Sequence, residues 1–88
     1  MKTFNDIIFK SNPMGAEFGI VSRTKFDNGY EVSVVKSPYT YGGDKGLYEL
    51  AVLDSEGHLT YATSVTDDVI GYLRPEDVTD VMEKIQQL

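Results

Sequence analysis

The apolar residues change period once along this chain, and that change decides which folds are open to it. Up to Val65 they fall mainly on alternate positions, as in "YEVSVVK" and "LYELAVL". From Val78 they recur as Val78, Val81, Met82, Ile85 and Leu88, the spacing of one face of a helix. Pro75 suits the first helical position, and Glu76 and Asp77 suit the positive end of the helix dipole. The sequence therefore predicts an α+β domain, an antiparallel sheet of four or five strands with a C-terminal helix over 75–88 packed on one face. Its 88 residues are expected to form a single domain over 1–88. A chain of that length buries only about 60–65% of its unfolded surface, which favours shallow sites over enclosed ones.

Two hairpins are expected, over 18–36 and 47–65. In the first, a three-residue loop Asp27-Asn28-Gly29 is preferred to a two-residue one. It sets Phe26 against Tyr30, Thr24 against Val32 and Ser22 against Val34, and puts Gly29 at the left-handed position of the bulge such loops carry. One face then holds Phe18, Ile20, Phe26, Tyr30, Val32 and Val34, while the other sets Lys25 across from Glu31 and Val21 across from Val35. In the second hairpin a four-residue loop "DSEG" would place Val52 opposite Leu59 and Leu50 opposite Tyr61. Apolar side chains on both faces of 47–53 predict a strand internal to the sheet. Thr66 with Asp67-Asp68 starts a helical turn that Gly71 keeps short. Ile7-Ile8-Phe9 is expected to add a short edge strand, ended by Asn12-Pro13.

Charge is unevenly divided. Residues 1–46 carry six Lys/Arg against five Asp/Glu, a net of +1; residues 47–88 carry two against nine, a net of −7, which together make the chain total of −6. Nucleic-acid binding needs a basic surface to replace phosphate counterions, so direct binding of DNA or RNA is not expected. Without cysteine there is no disulfide framework, thiolate nucleophile or cysteine zinc site. The longest uninterrupted apolar run, Leu50-Ala51-Val52-Leu53, is too short for a membrane span or a secretory signal, so a cytoplasmic protein is expected.

Three groups of residues invite a chemical reading. The loop 38–48 carries Tyr39 and Tyr41 beside Gly42-Gly43 and Gly46. Its glycines match neither phosphate-binding fingerprint, and they precede a strand where those motifs precede a helix. It reads first as a connection between the hairpins and second as a contact loop, because tyrosines are enriched where proteins grip one another. Asp54-Ser55-Glu56-Gly57-His58 collects the residue types of a catalytic triad, but a tight turn splays successive side chains and keeps nucleophile and base apart. Asp67, Asp68, Glu76 and Asp77 have no calcium-loop spacing and are explained as two helix starts. No catalytic residue, metal or cofactor is therefore expected.

The remaining signal is acidic: Glu76, Asp80 and Glu83 at helical spacing, with Asp67 and Asp68 before them. In size, acidity and lack of catalytic equipment the chain resembles small accessory proteins of phages and mobile elements, among them inhibitors of host nucleases and toxin-immunity proteins; that resemblance covers composition alone. It implies a small acidic, non-enzymatic protein-binding module, a monomer or weak homodimer, that occupies the basic, nucleic-acid-binding surface of a partner protein. Tyr39, Tyr41, Asp67, Asp68, Glu76, Asp80 and Glu83 are the expected contact residues. The alternative is a small-ligand or adaptor domain that uses the Tyr/Gly-rich loop 38–48.

Overall fold

The computed structural model of the chain describes residues 1–60 and 69–88. It has an α+β fold: a five-stranded antiparallel sheet in the order β1 (Lys10–Ser11), β2 (Ile20–Lys25), β3 (Glu31–Lys36), β4 (Tyr48–Leu53), β5 (Ile70–Leu73), with helix α1 (Pro75–Gln86) across one face. Strands follow one another in space as in sequence, the arrangement that short antiparallel connections favour.

The first hairpin has the register that its side chains require. Thr24 lies opposite Val32, Ser22 opposite Val34, Lys25 opposite Glu31 and Val21 opposite Val35. The Phe26 N–H donates to the Tyr30 carbonyl at 2.8 Å, and Gly29 takes φ 94° as the last of three loop residues. Phe26, Val32 and Val34 are thereby turned to the buried face, where Leu50, Val52 and Leu73 join them from β4 and β5. The helix contributes Val78, Met82 and Ile85, each fully buried. Burial of an aliphatic side chain of this size contributes roughly 1.5–3 kcal/mol, so this layer contact is the main source of stability.

Three details differ from expectation. The second hairpin also closes with a three-residue loop, Ser55-Glu56-Gly57: the Asp54 N–H donates to the His58 carbonyl at 2.8 Å and Gly57 takes φ 80°. One fewer loop residue shifts the register by one, so Leu53 rather than Val52 bridges Leu59, and the Thr60 N–H donates to the Val52 carbonyl. The physical reason is the Asp54 carboxylate, whose Oδ1 accepts the N–H groups of Glu56 (2.9 Å) and His58 (3.0 Å) and so builds the turn from its own side chain. Tyr61, the expected partner of Leu50, and the helix start at Thr66 to Asp68 lie outside the described residues; Leu50 itself pairs with Val34 and Ile70. Gly71 belongs to no helical turn. It sits within β5, where Ile70 pairs with Leu50 and Leu73 with Tyr48.

At the N-terminus the edge strand is Lys10–Ser11 rather than Ile7 to Phe9. Phe4–Asp6 forms one 3-10 turn, and the Phe4 N–H donates to Thr79 Oγ1 on the helix at 3.0 Å. That bond ties Phe4 to the helix, and Phe4, Ile7 and Phe9 pack on the core. Phe4 meets Tyr48 edge to face and Phe9 lies tilted to it, with ring centroids 5.1 and 5.5 Å away. Apolar side chains with a core to cover draw the segment out of the sheet plane.

Asp77 caps the helix: its Oδ2 accepts the Arg74 N–H at 3.0 Å and the Arg74 Nε at 3.2 Å. Those bonds, the backbone one first, hold its carboxyl below the ordinary value of 3.8, and the His58 N–H does the same for Asp54. A depressed folded-state pKa stabilises at pH above the unfolded value and is lost as pH falls through the folded value. The melting temperature should therefore hold from neutrality to about pH 5 and fall below about pH 4, more gently in Asp77→Asn and Asp54→Asn than in the parent chain. A melting profile that both variants leave unchanged would dissociate these carboxylates from acid stability.

Candidate functional site

The Tyr/Gly segment after β3 is held by hydrogen bonds along its length. Ser37, nearly buried, accepts the Tyr39 N–H through Oγ at 3.1 Å and donates its own N–H to Thr40 Oγ1 at 3.0 Å. The Tyr41 N–H donates to Glu49 Oε2 at 2.8 Å, and the Tyr41 carbonyl accepts the Tyr72 N–H at 3.1 Å. A loop with this many partners is a fixed part of the surface rather than a slack connection.

The glycines are explained by space. A Cβ on Gly43 would overlap the Ser37 carbonyl, and one on Gly71 would overlap Tyr41 Cβ. A Cβ on Gly42 would lie 2.9 Å from Tyr72 Cα. Together they let the loop press against β5, which sets Tyr41 and Tyr72 side by side. Tyr72 itself has φ 58°, the left-handed region that costs a side-chain-bearing residue about 1–2 kcal/mol. Such strain persists only where surrounding structure imposes it, and it clusters at functional sites.

The result is an aromatic surface. Tyr39 is 78% exposed, Tyr41 62% and Tyr72 57%. Phe18 supports Tyr39 with ring centroids 6.0 Å apart, and Lys45 Nζ lies 5.9 Å from the Tyr72 ring centroid. Beside Tyr39 is an open depression of about 490 Å³ lined by Ile20, Lys36, Ser37, Pro38, Gly43 and Asp44 among others. Tyr72 is the member that sequence reasoning missed. The available signal was a third tyrosine next to a glycine in "VIGYL", which reads as a weak helical turn until the strand pairing is known.

The acidic residues occupy the outer face of α1. Glu76, Asp80 and Glu83 are all exposed, but they are not equivalent. Glu76 lies 3.3 Å from Arg74 Nε and is partly neutralised, whereas Asp80 and Glu83 make no ion pair among the described residues. Leu73 and Arg74 alone separate Tyr72 from the helix. The aromatic surface therefore borders the helix start, with Asp80 and Glu83 about 7.5 and 12 Å along its axis from Pro75. Asp67 and Asp68 lie outside the described residues.

The His58 turn has a different organisation. Asp54 spends its carboxylate on backbone N–H groups, and the nearest acidic oxygen to the imidazole is Glu56 Oε2, at 3.7 Å from Nδ1 with both side chains well exposed. Among the described residues no side chain is within hydrogen-bond distance of the ring. Among the described residues no helix is long and apolar enough to cross a membrane. No protein-family model, curated protein or solved structure matches the chain, so the tyrosine surface and the acidic helix must be read from their own geometry.

Proposed function

We propose that this chain is a non-enzymatic protein-binding module that docks on a basic surface of a partner protein. The observation that carries the reading is the exposure of Tyr39, Tyr41 and Tyr72 on a hydrogen-bonded platform that holds Tyr72 in a strained backbone conformation. Tyrosines on a hydrogen-bonded backbone bring large contact area at the entropic cost of only two side-chain torsions each, which is what a binding anchor needs. Asp80 and Glu83, which form no ion pair among the described residues, supply the sign of the partner: cations on the opposing surface speed encounter and fix orientation. The partner surface that fits best is a nucleic-acid groove, where carboxylates stand in for phosphates, and an inhibitor of the accessory-protein kind would act by filling it.

The test begins with capture of a partner from host lysate at low salt, followed by measured affinity for that partner. Asp80→Lys with Glu83→Lys should weaken binding by several kcal/mol where like charges become juxtaposed. Tyr41→Ala and Tyr72→Ala should each cost at least about 1–2 kcal/mol, with thermal stability little changed for the helix pair. Affinity indifferent to both sets of substitutions would sink the reading. The depression next to Pro38 supports a second reading, a small-ligand or adaptor site, for which a ligand screen by thermal shift should give saturable stabilisation that Asp44→Ala, a substitution at an exposed lining residue, reduces.

A further inference from the structure

The opposite edge of the sheet has a different chemistry from the acidic helix. β1 pairs with β2 only at Lys10 with Val21 and Ser11 with Ile20. Continued one step further, that register would bring Ile8 to Arg23, but the pairing ends at Lys10. The Phe26 N–H bonds to Tyr30 across the hairpin, so by alternation Ser22 and Thr24 direct their backbone groups to β3 while Arg23 and Lys25 direct theirs outward. The Lys25 carbonyl is taken by Lys2 Nζ at 2.8 Å. The Arg23 N–H and carbonyl and the Lys25 N–H have no partner among the described residues. Two shallow cavities of about 400 and 230 Å³ run along this edge, and Ile8, 77% exposed, and Arg23 line both.

An open edge accepts a strand, and charge decides which. A second copy of this chain is disfavoured, because every antiparallel register that pairs the outward-facing residues sets Arg23 or Lys25 against Arg23 or Lys25 of the other copy. Lys2 and Lys10 add to the positive rim, against one carboxylate, Asp6, in the lining of the smaller cavity. The Arg23 guanidinium reaches across β3 to Glu31 at 2.7 Å and lies beside Gly57, so it must turn from Glu31 to meet a new carboxylate; its side chain is 56% exposed, and Lys25 forms no ion pair among the described residues. The cations that repel a second copy attract carboxylates at the same positions.

We propose that the β2 edge at Arg23 and Lys25 binds an extended acidic segment of a partner protein as an added strand, with carboxylates at alternate positions facing Arg23 and Lys25. This site is independent of the tyrosine surface and opposite to it in charge preference.

The probe is the blocked hexapeptide Val-Glu-Val-Glu-Val-Glu, whose carboxylates share one face of a strand, titrated into the isotopically labelled full chain and followed by amide NMR. Saturable shifts at Ile8, Arg23 and Lys25 are expected, with slowed exchange of the Arg23 and Lys25 amides. The lysine counterpart should bind at least about tenfold more weakly. Methylating the glutamate nitrogens, which would face β2, should abolish binding, whereas methylating the valine nitrogens should not. Arg23→Glu with Lys25→Glu should invert the preference toward the lysine peptide. Equal response to both peptides, shifts confined to the tyrosine surface, indifference to the site of methylation, or no response at about 1 mM peptide would each overturn the proposal. The methylated peptides test it on the unaltered chain even if the double variant does not fold.

Discussion

Removal of residues 75–88 should leave a chain without a cooperative unfolding transition, because the helix is the other half of the core. Val32, Val34, Leu50 and Val52 are at most 1% exposed, and the residues that face them include Val78, Met82 and Ile85, all fully buried. Exposing even four such sheet side chains forfeits roughly 1.5–3 kcal/mol each, while a small domain has only about 5–15 kcal/mol in total. The N-terminal segment would be released as well, since Phe4 is tied to Thr79 and Lys2 exchanges hydrogen bonds with Gln86. Melting followed by circular dichroism, with light scattering to detect aggregation, reads the result. A folded, monomeric truncation would refute the two-layer core. The milder Met82→Ala should cost about 2–5 kcal/mol by denaturant titration.

Gly43→Ala and Gly46→Ala should separate two reasons for a glycine in one short segment. Gly43 has no left-handed backbone, but its added Cβ would collide with the Ser37 carbonyl, a backbone atom fixed by the turn to Thr40. Overpacking of that kind costs about 1–3 kcal/mol, and the upper end is expected here because backbone must move. Gly46 has φ 77° with nothing within 4 Å of an added Cβ, so only the left-handed strain remains, about 1 kcal/mol. Gly43→Ala should also displace Tyr41 and Tyr72, since the loop holds both. Partner affinity should therefore fall with Gly43→Ala and persist with Gly46→Ala. Equal losses in stability for the two substitutions would show that crowding at Gly43 relaxes cheaply.

Much of the fold was legible because its determinants are local. A period-two pattern, a Gly at the third place of the Asp27-Asn28-Gly29 loop and the need to gather Phe26, Tyr30, Val32 and Val34 on one face leave one register for β2 and β3, and that register is the one found. The acidic stripe on α1 was legible for the same reason, since helical spacing places Glu76, Asp80 and Glu83 on the side opposite Val78, Met82 and Ile85. The second hairpin was misread by one residue because Asp54 bonds to the amides of Glu56 and His58, a choice made by turn geometry that composition leaves open.

What only the tertiary structure decided lies in contacts between distant segments. The segment "VIGYL" has too few residues to declare its state by periodicity, and it becomes β5 because Leu50 and Tyr48 offer an open edge. Ile7 and Phe9 alternate like a strand, yet the helix layer takes them because Thr79 and Tyr48 provide a better burial site than the sheet edge. Tyr72 joins Tyr41 only because Gly42 and Gly71 permit two backbones to meet. By itself the sequence determined the class of fold, the first hairpin register and the acidic face, all set by short-range pattern and side-chain alternation. The aromatic surface and the unpaired β2 edge were decided in three dimensions, because each depends on which of several available partners a segment meets, and no local propensity encodes that competition.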